Sequence, residues 1–101
     1  MKEPYYAVIF TSNRTEVVQG YADMAIKMEN LAKTQPGFLG VESAKEVIGI
    51  TVSYWKNLES IAKWREHTEH MLAQTKGKSE WYQKYSVRIC KVEREYHFFK
   101  E

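Results

Sequence analysis

An α+β fold in the order β-α-β-β-α-β is what this chain predicts, and three observations predict it. Four stretches read as strands: Tyr5 to Ser12, Phe38 to Glu46, Val47 to Trp55 and Tyr82 to Tyr96. Two others, about Gly20 to Thr34 and the run after Asn57, space their apolar residues three and four apart, as a helix covered on one side does. Pro36-Gly37 and the short join from Glu46 to Gly49 mark sharp changes of direction between them.

The first strand puts Tyr6, Val8 and Phe10 on one face and Tyr5, Ala7 and Ile9 on the other. A strand apolar on both faces is covered on both. Asn13-Arg14 closes it. In the first helix Tyr21, Met24, Ala25, Met28, Leu31 and Ala32 form one stripe, with Asp23, Lys27 and Lys33 off it. Pro36-Gly37 ends that helix and turns the chain. The next two strands are joined so tightly that they must pair as an antiparallel hairpin. Asn57 suits the N-cap of the second helix, and Glu59 lies near its positive end. Ile61, Trp64, Thr68, Met71 and Leu72 mark its buried stripe, and Gly77 is the expected stop. The last strand sets Tyr85, Val87 and Ile89 against Arg88, Cys90 and Val92, and a tail follows with His97-Phe98-Phe99. This is the ferredoxin-like plan: an antiparallel four-stranded sheet with two helices on one face. The other face is apolar too and must meet something. A second copy of the chain is the simplest partner, which predicts a homodimer packed sheet to sheet as a dimeric α+β barrel.

Length and composition fit this plan. At 101 residues the chain holds one domain, 1–101. It is 44% hydrophobic, 14% aromatic and 28% charged, which excludes a disordered chain. Seven Tyr, four Phe and three Trp suit either a dense small core or an aromatic ligand pocket. A net charge of +2 with scattered basic residues argues against nucleic acid as a partner. The single Cys90 rules out an intramolecular disulfide, and a small core residue is the plain reading for it. The apolar run from Ala7 to Phe10 is too short for a signal peptide, and no segment approaches the ~20 apolar residues a membrane span needs. The expectation is a cytoplasmic protein of a reducing compartment. Phosphate loops, CxxC pairs, GxSxG elbows and paired-carboxylate signatures are absent, and no metal site is expected.

Pro36-Gly37-Phe38-Leu39-Gly40, the run from Thr51 to Trp55 with Leu58 to Trp64 after it, and the final strand Tyr85 to Ile89 make the chain resemble the antibiotic biosynthesis monooxygenase family, dimeric ferredoxin-like α+β domains. The resemblance spans nearly the whole chain. It implies a small monooxygenase that acts on an electron-rich aromatic substrate, a quinol or polyketide-like compound, with molecular oxygen and no required cofactor. In such enzymes the substrate anion itself passes an electron to oxygen, and the protein holds the ring and stabilises the oxyanion. The family also holds haem-degrading members. These use an Asn at the end of the first strand, a Trp on the second helix and a haem-ligating His further along that helix. Asn13 and Trp64 match the first two; Gln74, not a histidine, stands at the third position.

The resemblance and the helix spacing together nominate a site. Trp64, His67, His70 and Gln74 follow one another along one side of the second helix. The expected catalytic set is Asn13, Trp64, His67 and His70: Asn13 donates to a substrate oxygen, and His67 or His70 takes the proton. Phe38, Tyr54 and Gln74 are the expected substrate-binding residues. The plainer readings are a solvated helix face for His67 and His70, core packing for Trp64, core or interface for Tyr54, and a turn for Asn13. A dimeric binding domain that holds a small aromatic ligand without turning it over is the non-enzymatic alternative.

Overall fold

A computed structural model of the protein describes residues 2–75 and 80–100, and in 73–75 the backbone alone. Its elements are β1 (Tyr5–Arg14), α1 (Tyr21–Lys33), β2 (Phe38–Lys45), β3 (Gly49–Trp55), α2 (Leu58–Thr75) and β4 (Tyr82–Val92). They form one antiparallel sheet in the order β2-β3-β1-β4. The expected order of elements, the hairpin and the ferredoxin-like plan are all present. Four strand boundaries move, the smallest at β2, which ends at Lys45 and not Glu46. β1 runs on through Asn13 and Arg14, because both pair with β4, opposite Lys84 and Tyr82. β3 starts at Gly49, not Val47, and β4 ends at Val92, where β1 begins opposite it at Tyr5. The expected stop at Gly77 lies outside the described residues.

Local chemistry explains the joints. Asn57 caps α2: its side-chain oxygen accepts from the backbone N–H of Ser60 at 2.8 Å. Gly37 sits at φ 84°, and a Cβ there would come within 2.9 Å of Ser60 Cβ, so the turn into β2 requires glycine. Gly20, at φ 80°, precedes α1 in the same left-handed conformation.

Strand alternation sorts the sheet into two faces. Val8 packs under Ile61 of α2, so even-numbered β1 residues face the helices. The register carries Ser53 and Trp55 of β3 and Val87 and Ile89 of β4 to that same face. Tyr5, Ala7 and Ile9, with Ile50, Val52 and Tyr54, lie on the opposite face, and no described helix packs there. Two clusters make the helix-side core. One gathers Val8, Trp55 and Ile61, with Tyr6, Phe38 and Trp64 against them. The other gathers Met24, Leu72 and Trp81 where the two helices meet, with Tyr21, Met28 and Tyr82 alongside.

Candidate functional site

Among the described residues Trp55 is the one large side chain buried outright, and its indole N–H donates to Ser53 Oγ at 2.8 Å. Phe38 meets it edge-on with ring centroids 5.4 Å apart, and Trp64 lies over it at 5.7 Å. His67 follows Trp64, 6.5 Å between centroids, and is exposed. Of the expected site residues the structure therefore brings together Trp64, His67 and Phe38. Trp64 and Phe38 are occupied in packing on Trp55. His70 is exposed on α2, as a solvated helix face would have it.

Asn13 and Tyr54 are elsewhere. Both fall on the sheet face away from the helices, because both have the parity of Ala7. Asn13 is also seven residues along β1 from Tyr6, the partner of Trp55, or about 23 Å. Tyr54 donates to Glu42 Oε2 at 3.2 Å and meets Tyr5 edge-on at 6.0 Å. Burial, and then the Glu42 carboxylate, push its phenol above the ordinary tyrosine range. Within one chain, then, neither Asn13 nor Tyr54 shares a site with Trp64, His67 and His70. The side chain of Gln74 lies outside the described residues.

Open space lies on the other flank of α2. A cleft of about 460 Å³ runs between α2 and β4, lined by Leu58, Ile61, Ala62, Arg65, Glu66, Glu69 and Ile89. The six helix residues repeat at three and four, and an α-helix turns about 100° per residue, so Trp64 is nearly opposite Ala62. The cleft exists because Ala62 is small and because Ile89, half exposed, has no helix directly over it. Its floor is aliphatic. Its mouth carries one guanidinium, from Arg65, and two carboxylates, from Glu66 and Glu69. Size and character suit a flat ring system of two or three rings. The sequence set Ile89 on one strand face with Tyr85 and Val87; that the helices lie over this face, and that Ala62 leaves a gap there, comes from packing.

A second aromatic group closes the far end of the helix layer. Tyr82 meets Tyr21 at 6.0 Å, Phe10 at 5.7 Å and Tyr85 at 5.5 Å, and Tyr21 lies edge-on to Trp81 at 5.8 Å. The Arg14 guanidinium sits 3.2 Å over the Tyr21 ring and donates to the carbonyls of Trp81 (3.0 Å) and Val17 (2.9 Å). Trp81 in turn donates through its indole to the Gln19 carbonyl at 2.8 Å. Burial, then a hydrogen bond with Tyr21, raises the Tyr82 phenol, which stays protonated. Filled by its own rings, this cluster works as a clamp between the chain before α1 and the start of β4.

Haem does not fit the cleft. Its described lining offers no histidine, and His67 and His70 are on exposed positions of α2 outside it. Among the described residues no cluster of His, Cys, Asp and Glu could hold a metal ion. No described helix is long and apolar enough to cross a membrane.

The architecture is the α+β fold of antibiotic biosynthesis monooxygenases. SnoaB from Streptomyces nogalater, described as a cofactor-independent oxygenase, superposes with a TM-score of 0.68 at 7% identity, over 96% of this chain and 99% of that one. A Nitrosomonas europaea protein described as a candidate antibiotic biosynthesis monooxygenase gives 0.67 at 14% identity, over 89% and 90%. No family model matches the sequence. In sequence the chain is 54% identical over 94 residues to the uncharacterized protein YqjZ of Bacillus subtilis, covering 91% of this chain and 82% of that protein. The chain belongs to the family of YqjZ.

Proposed function

We propose that this protein is a small monooxygenase that oxidises an electron-rich aromatic substrate with molecular oxygen and needs neither flavin nor metal. It acts as a homodimer of single-domain chains joined sheet to sheet, through the face that carries Ile9, Ile50 and Val52. The observation that carries the reading is the cleft between α2 and β4: ring-sized, aliphatic-floored and charged at its mouth. It occurs on a fold shared with a protein described as a cofactor-independent oxygenase. The aliphatic floor holds the ring, and the mouth groups meet the substrate's polar atoms.

Anthrone tests this, since its oxidation balances without a cofactor: anthrone and dioxygen give anthraquinone and water. Oxygen uptake above the uncatalysed rate is expected, with one atom of labelled dioxygen in the anthraquinone. Ala62→Phe, which fills the cleft, is expected to reduce the rate at least tenfold. If quinols and anthrones raise the melting temperature but oxygen uptake stays at the uncatalysed rate, the protein is a binding domain and the oxygenase reading falls.

A further inference from the structure

From the groups at the mouth of the cleft we infer that Arg65 and Glu66 are the catalytic pair: Glu66 takes the proton from the substrate and Arg65 holds the oxyanion that results. The inference rests on the oxygenase reading and gives it residues. Arg65 and Glu66 are consecutive on α2 and both line the cleft. Both are exposed, and among the described residues neither side chain has a hydrogen bond or ion pair. A guanidinium left unpaired beside two carboxylates, over a floor of Ile61 and Ile89, is a donor set waiting for an acceptor.

The chemistry asks for both signs of charge. An anthrone-type substrate must lose a proton from the ring carbon that will be oxidised, and the electron pair left behind delocalises onto the oxygen across the ring. In the cleft the C–H bond breaks, its proton goes to the Glu66 carboxylate, and the new enolate oxygen accepts from the Arg65 guanidinium. The enolate then gives one electron to dioxygen, leaving a carbon radical and superoxide. These combine to a peroxide, which regains a proton from Glu66 and loses water to give the quinone carbonyl. His67 and His70, the bases expected from the sequence, lie outside the cleft lining, whereas Glu66 is part of it.

Two readouts separate this pairing from the oxygenase reading itself. Binding is followed by the fluorescence of 9-anthracenecarboxylate, an anion, and of 9-anthracenemethanol, its neutral counterpart. Arg65→Met is expected to weaken the carboxylate at least tenfold and the alcohol less than twofold, with Arg65→Lys recovering part of the loss. Glu66→Ala is expected to leave carboxylate binding equal or tighter, to cut anthrone turnover at least thirtyfold, and to regain rate on addition of formate. Equal loss of both ligands in Arg65→Met, or full turnover in Glu66→Ala, overturns the pairing and leaves the oxygenase reading standing. Wild-type protein without anthrone turnover overturns the oxygenase reading, whatever the ligands do.

Discussion

The two flanks of α2 are built on opposite plans. On the β3 side Trp64 and Phe38 close over Trp55. On the β4 side Ala62 and Ile89 leave a ring-sized cleft with charges at its mouth. The flank richest in aromatic residues is the packed one; the flank with room for a ligand is lined by aliphatic and charged side chains. Aromatic side chains fill volume so well that, in a small domain, they are most often the core, and a ligand needs the place where they are missing.

Substitutions on each flank break or sharpen that contrast. Trp55→Ala should be the most damaging, at about 3–5 kcal/mol by urea denaturation, because the side chain is fully buried and Phe38 and Trp64 lose their support. A loss below about 1 kcal/mol would mean the flank is not packed as described. Ser53→Ala removes the acceptor of the Trp55 indole N–H and should cost about 1–3 kcal/mol, with a shift in tryptophan fluorescence. On the open flank Ala62→Phe should change stability by no more than about 0.5 kcal/mol, since the residue is exposed, even as it blocks ligands. A larger destabilisation there would show that the cleft is closed in solution.

Most of the fold was legible because it is written in local periods. The stripes of both helices, the Asn57 cap and the Gly37 turn each follow from a few neighbouring residues. The errors in the strands came from pairing, which is not local: Asn13 and Arg14 are strand because β4 lies beside them. The site was legible only in part for a related reason. Alternation already separates Tyr54 from Trp55, but which of the two the helices cover is decided by packing. Asn13 and Tyr54 went to the uncovered face, and the small residue that opens the cleft, Ala62, gave no chemical signal.

The sheet's order also bears on how the chain must fold. β1 lies between β3 and β4, and its first residue, Tyr5, pairs with Val92, the last residue of the last strand. The phenol of Tyr5 donates to Glu95, and the Glu95 amide donates to Glu3 at 2.7 Å, so the same corner is tied again beyond the strands. While the chain is being made, β2 and β3 can form their hairpin and β1 can join it, but one edge of β1 stays bare until the final strand has emerged. Closing a loop of that length is slow, and an apolar strand with a free edge is open to pairing with another chain in the meantime. An inner strand of this sheet, β1, is thus the first of the four to be synthesised and the last to be completed.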